Sequence, residues 1–228
     1  MGTSEHKQIS LLTDYSIDSA YSVSYHTIYS NIYFNWDSEQ LKQYSIQFAI
    51  PSRCPQQASV ASNVAIAAAQ HGVPTILVDA DLLAPTLQQS FGLGSLPGLN
   101  QLLMEEHVST EMLQTYVSST FVPNLRLLCG GVTSLSSFEV SRLLSAKLQV
   151  ILNATRQFME QNDDRPGMII FNSPPVLAGI DASLISTLVD HTLLIIARGR
   201  TTRTEAIRAQ EQLQRAHAKL AGVVMLET

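Results

Sequence analysis

Two carboxylates set two residues apart, Asp79 and Asp81, close an apolar run at Thr75–Val78. Upstream lies a loop, Pro51–Gln56, that contains Arg53 and leads into the alanine-rich stretch Gln57–Gln70. Downstream, the apolar run Met168–Phe171 ends in Asn172-Ser173-Pro174-Pro175. Carboxylates at the end of a buried strand can hold a divalent cation or cap a helix. A loop that opens a helix presents backbone N–H groups where phosphate can bind. Strand, loop, helix and a second strand ending in acid is how a nucleotide-binding α/β domain begins.

Those residues need elements to position them. Ser45–Ile50 is apolar and β-prone, and Gln57–Gln70 runs without Gly or Pro, so a strand and a helix are expected. His71-Gly72-Val73-Pro74 stops the helix. Further strands are expected at Thr75–Val78, Leu125–Leu128, Met168–Phe171, His191–Ala197 and Gly222–Leu226. Helices are expected at Ala84–Phe91, Leu99–Glu106, Thr110–Tyr116, Phe138–Gln161, Asp181–Leu188 and Thr204–Ala218. The alternation predicts a central, mostly parallel sheet with helices on both faces. The glycines between Gly92 and Gly98 follow no strand and do not make a dinucleotide fingerprint.

Ile76–Pro85, ILVDADLLAP, resembles the second acidic motif of the bacterial tyrosine kinases, which commonly reads LLIDADLRRP. Phe171–Ala182, FNSPPVLAGIDA, resembles their third motif, IDTPPVLAVSDA. SNVAIAAAQHG resembles the helix after their phosphate loop, and HTLLIIARGRTTR, His191–Arg203, the next strand and loop. The matches keep family order and spacing from about Tyr21 onward. The resemblance extends more distantly to the MinD and ParA ATPases. It implies a three-layer, P-loop NTPase-like α/β domain over residues 21–228, preceded by a polar tail at 1–20.

The family's site is altered at each signature position. Counted back from Asn63, the pattern G-x-x-x-x-G-K-[ST] falls on Pro51, Gln56, Gln57 and Ala58, with Ser59 beside the last. The pattern needs glycine for close backbone approach, lysine for phosphate charge and a hydroxyl for magnesium. Gln57 carries no charge, Ala58 no oxygen, and Pro51 and Pro55 no N–H. No other G-K-[ST] occurs in the chain. Asn172 stands where the family has a magnesium-binding aspartate, and an amide is the poorer ligand. Asp79 and Asp81 survive, as vestiges or as structural groups. Leu83 and Ala84 replace two arginines, and no tyrosine follows Tyr116, although the family carries a tyrosine-rich tail.

Tyrosines at 21, 25, 29 and 33 fall on one drifting helical stripe. They suit either a face packed on its own domain or a partner-binding face. The resemblance aligns this segment with a helix whose E-x-x-R-x-x-R motif joins subunits into rings. Val23, His26 and Tyr29 occupy the charged positions, which implies a monomer or dimer. Arg198, Arg200, Arg203 and Arg208 gather near the C-terminal helix, as a solvated face or an interaction surface.

The 228 residues are 45 % hydrophobic and 14 % charged, with a net charge of −5. That supports a large core and leaves no basic footprint for nucleic acid or anionic lipid. No apolar run approaches a membrane span, and the N-terminus lacks a signal-peptide pattern. Cys54 and Cys129 lack metal-ligand spacing and read as reduced cytosolic thiols. The expected protein is cytoplasmic, near the inner membrane face through a partner, and catalytically silent, with no cofactor. The resemblance makes its partner a membrane polysaccharide co-polymerase or an active homologous kinase. One rival is a working kinase or ATPase using ATP and magnesium, with Arg53 replacing the lysine charge and Asp79 and Asp81 holding the metal. Another is a MinD/ParA-like positioning module that acts without nucleotide.

Overall fold

A computed structural model describes residues 10–37, 39–132 and 135–227. Helix α1 (Ala20–Phe34) leads into β1 (Gln43–Ala49), α2 (Gln57–Gln70) and β2 (Thr75–Asp79). Three short helices follow, α3 (Leu87–Ser90), α4 (Leu99–Met104) and α5 (Thr110–Tyr116), then β3 (Val117–Ser119) and β4 (Leu125–Leu128). The long α6 (Ser137–Asn162) precedes β5 (Gly167–Asn172), α7 (Asp181–Ser186), β6 (His191–Ala197), α8 (Arg203–Arg215) and β7 (Leu220–Leu226).

The strands form one seven-stranded sheet in the order β3-β4-β2-β5-β1-β6-β7. All pairings are parallel except the β3–β4 pair. The expected mostly parallel sheet is therefore present, with the six predicted strands in it. β3 is an addition: it pairs antiparallel with β4, Val117 opposite Leu128, at the sheet edge. A three-residue strand directly after a helix carries too short an alternation to announce itself.

Helix α2 runs through the core beneath α1. Every residue from Gln57 to Ala69 is buried, because its alanines and serines allow close packing on both sides. The opposite face of the sheet is covered by α4, α5, α6 and α7, whose apolar residues cluster with Ile76, Val78, Ile169 and Phe171. Ala209 and Leu213 of α8 cover Leu194 of β6.

The tyrosine stripe packs on its own domain. Tyr25 and Tyr29 belong to the α1–α2 core, and Tyr29 stacks on His71 with ring centroids 4.9 Å apart. The Tyr21 hydroxyl accepts a 2.8 Å bond from Asn63, and His26 Nδ1 lies 3.2 Å from His71 Nε2. Of the two alternatives, Tyr25 and Tyr29 follow the packed one, with their rings buried between α1 and α2, while Tyr21 and His26 are half-buried. Tyr33 alone of the four tyrosines is exposed, beside Trp36.

The polar tail expected over residues 1–20 is corrected where it is described. Leu11 and Leu12 are buried, and the Leu12 N–H donates to Asn63 Oδ1 at 2.8 Å. The paired leucines supply apolar area that the surrounding serines and aspartates hide from a composition reading. Residues 1–9 lie outside the described residues.

Candidate functional site

The residues that opened the sequence reading meet at the C-terminal ends of three neighbouring strands. β2 and β5 align Asp79 with Asn172, and β1 and β5 align Phe48 with Asn172. The loop from Ile50 to Gln56 crosses these ends before α2 begins. A crevice outside the carboxyl ends of parallel strands is where open α/β sheets bind ligands.

Within it, Asp79 is fully buried. One oxygen accepts from the Thr86 and Leu87 N–H groups at 2.9 and 3.0 Å, tying down the start of α3. The other accepts from Asn172 Nδ2 at 3.0 Å. Burial pushes its pKa up to about 6, and the hydrogen bonds from Leu87, Asn172 and Thr86 oppose the rise.

Asp81 is bound from two sides. The Arg53 guanidinium donates to both carboxylate oxygens, at 2.8 and 3.1 Å, in a bidentate pair. Gln57 Nε2 lies 3.4 Å from the same carboxylate and 3.4 Å from the Ser173 carbonyl oxygen. The Asp81 side chain is 3 % exposed and that of Arg53 52 %. Burial raises the Asp81 pKa, while the Arg53 hydrogen bonds and charge pull against it.

The loop is tied to its surroundings as well. The Gln57 and Ser59 N–H groups donate to the Cys54 and Gln56 carbonyls at 3.1 Å each. Leu177 N–H donates to Pro51 O at 3.0 Å. Ser52 Oγ donates to Glu205 at 2.6 Å, which with the Thr202 bonds holds that carboxyl at about 2. Ala58 and Ser59 are buried in the first turn of α2.

Arg53 and Gln57 meet Asp81, and Asn172 meets Asp79, while Pro51, Gln56, Ala58 and Ser59 lie on the loop and first turn of α2 that carry Arg53 and Gln57. Their mutual bonds differ from the rival expectation. Arg53 is not poised as a free phosphate-binding charge, because its guanidinium clasps Asp81. Asp79 is bound by backbone and an amide, and Asp81 by a guanidinium. Among the described residues, no group of three or more His, Cys, Asp and Glu side chains is arranged to hold a metal. Arg198 and Arg200 lie on the exposed β6–α8 connection and Arg203 opens α8; Arg198 pairs with Glu227 at 3.1 Å.

Sequence reasoning missed Gln47 and Ser173. Gln47, buried in β1, donates to Ser173 Oγ at 2.8 Å and to Ala182 O at 2.9 Å, fixing the segment after β5. A lone glutamine inside SIQFAI was the available signal, since a buried polar group demands partners. Beside the crevice, an open groove of about 630 Å³ lies between α6 and the β5–α7 connection. Its rim carries exposed Leu83, Phe138 and Ile180.

A P-loop NTPase-like sheet, with its crevice at the strand ends, sets the class. The fold is shared with the cell-division ATPase MinD of Pyrococcus furiosus, at TM-score 0.60 and 19 % identity over 79 % of this chain and 71 % of that one. Tyrosine-protein kinase YwqD of Bacillus subtilis is 30 % identical over 204 residues, 90 % of this chain and 80 % of YwqD. The solved structure of the chimerical protein CapA2B2 superposes at TM-score 0.78 with 26 % identity, over 95 % of this chain and 88 % of that one. The chain belongs to the bacterial tyrosine-protein kinase family. No protein-family model matches it.

Proposed function

We propose that this chain is a catalytically silent member of its family that works by binding a partner in polysaccharide assembly or export. The observation that carries the reading is the Arg53–Asp81 clasp, flanked by Gln57 and by the Asn172–Asp79 bond. Protein groups in the crevice that would meet phosphate or magnesium bind each other instead. In the register read from the sequence, an uncharged Gln57 stands at the lysine position, Ala58 at the hydroxyl and Asn172 at the metal carboxylate. ATP–magnesium does not fit this arrangement: the cation of the loop, Arg53, is already paired with the Asp81 carboxylate. Asp79 serves as a structural acceptor for the turn into α3.

The family resemblance supplies the partner class, a membrane polysaccharide co-polymerase or an active homologous kinase, met at the inner membrane face. Among the described residues no helix is long and apolar enough to cross a membrane. The test is phosphoryl transfer from labelled ATP–magnesium to the chain itself and to a tyrosine-containing peptide, beside an active relative. The same active relative is then assayed with and without this chain. The reading predicts no transfer by this chain and a changed rate of the relative on mixing. Transfer that depends on Asp81 would overturn it.

A further inference from the structure

A cleft of about 320 Å³ opens at the far end of the sheet from the crevice, beside the starts of β2 and β4 and the last turn of α6. Arg126 of β4 lines it. The strand reads LRLL, so the arginine is a charge within an otherwise apolar element. Arg126 registers with Ile76 of β2, on the sheet face that α6 covers. A half-buried charge on such a face normally requires a partner.

The Arg126 guanidinium lies over the Phe158 ring, 5.3 Å from its centroid. Among the described residues it makes no hydrogen bond and no ion pair. The ring fixes the planar group, and its fork of N–H donors stays uncommitted. Three other polar side chains of the wall are committed within the chain. Asn162 Nδ2 donates to Phe158 O at 2.7 Å, Asn124 Nδ2 to Ala69 O at 3.2 Å, and Thr120 Oγ1 to Leu125 O at 3.0 Å. Asp163, also on the wall, has both carboxylate oxygens taken by Arg165, at 3.0 and 2.6 Å. That pair is neutral as a unit, so the Arg126 charge is left without a counter-charge of its own.

We propose that this cleft binds a small organic monocarboxylate, its carboxylate held by the Arg126 guanidinium and its apolar body against Ile76, Val122 and Met159. The Arg126 charge matches one negative charge, and the neighbouring Asp163 carboxylate disfavours a second. Arginine–carboxylate pairs are often planar and bidentate, which suits a guanidinium laid flat on a ring. The volume lies at the small end of ligand pockets, and a wall of apolar side chains with a single charged anchor is how such pockets orient their ligands. No crevice residue takes part, so the site does not depend on whether the crevice binds nucleotide.

Titrations of the unmodified chain with benzoate, acetate and inorganic phosphate test the site. Calorimetry gives the affinity, and the side-chain amide signals of Asn124 and Asn162 in nuclear magnetic resonance spectra give the place. Benzoate should bind with a dissociation constant on the order of 1 mM, the scale for a fragment of that size, and should shift both amide signals. Acetate lacks the apolar body, and phosphate brings a second charge at neutral pH. Each should bind about ten-fold more weakly than benzoate, or worse.

Substitution then tests the anchor. Arg126→Gln should weaken benzoate binding by about ten-fold or more, since a charge-assisted pair is lost. Arg126→Lys keeps the charge without the planar fork and should recover only part of the affinity. Arg200→Gln, which changes an exposed arginine on the β6–α8 connection, should leave binding unchanged. Circular dichroism and a thermal melt confirm that each variant is folded. The proposal is overturned if benzoate leaves the Asn124 and Asn162 signals unmoved, or if acetate or phosphate binds as well as benzoate. It is equally overturned if Arg200→Gln weakens binding as much as Arg126→Gln. The first two readouts use the unmodified chain, so they decide the question even where a substitution unfolds it.

Discussion

The crevice at the strand ends and the free edge of β7 are opposite solutions to the disposition of binding groups. In the crevice, polar side chains are abundant and each acid is engaged from within: Arg53 on Asp81, Asn172 on Asp79. At β7, apolar side chains and one flank of backbone face outward. A site that satisfies itself holds a shape without a ligand. Each half of the contrast can be broken separately.

The largest expected effect comes from opening the clasp. Arg53→Ala leaves the Asp81 carboxylate buried without its counter-charge. Breaking a buried ion pair costs several kcal/mol, and because Arg53 is half exposed a loss of about 2 kcal/mol is expected. Urea denaturation measures it. Arg53→Ala with Asp81→Asn should recover much of the loss, because a neutral amide needs no counter-charge.

A smaller effect follows from pH. Asp79 holds its proton in the folded state up to about pH 6, whereas an unfolded aspartate releases it near its ordinary value of 3.8. The native state therefore binds more protons between those limits, and this contribution to stability falls as pH rises through them. Other carboxyls oppose the trend at lower pH, Asp163 and Glu205 being held near 2. The test is consequently a difference. Relative to Asp79→Asn, the unmodified chain should lose about 2 kcal/mol of unfolding free energy between pH 4 and pH 6.5. A flat difference would mean that Asp79 ionises normally.

The smallest effect sharpens the other half. Lys219→Glu should change stability by less than about 0.5 kcal/mol, as surface substitutions do. A thermal melt measures it.

Much of this arrangement was legible in the sequence. Gln57–Gln70, Thr110–Tyr116, Leu125–Leu128 and His191–Ala197 have their predicted limits, because each is bounded by a clear stop or a sharp change in polarity. The convergence of Asp79, Asp81, Asn172 and the Pro51–Gln56 loop was legible too, since parallel strands bring their C-terminal ends together. Pairing inside the crevice was not. Arg53 and Asp81 lie 28 positions apart, and only the β1–α2–β2 crossover brings the guanidinium onto the carboxylate. The tyrosine stripe showed a common face without showing that α2 would cover it. Leu11 and Leu12 were hidden in a polar context, and Asn63 was read as part of a helix, not as the anchor for Leu12 and Tyr21.

Restoring the signature makes a sharper probe than removing it. Gln57→Lys alone would place a second cation beside an acid that Arg53 already holds. Recovery of nucleotide binding should therefore require Gln56→Gly, Gln57→Lys and Ala58→Ser together with Arg53→Ala. Calorimetry should detect binding in the four-fold variant and none in the triple variant that keeps Arg53.

The most direct test of the central claim is a calorimetric titration of the unmodified chain with ATP and magnesium. Loss of several charge-assisted contacts at one site should leave no measurable binding heat up to about 1 mM nucleotide. A dissociation constant in the micromolar range would contradict the account, because it would require Arg53 to leave Asp81 and the loop to open into a working cradle.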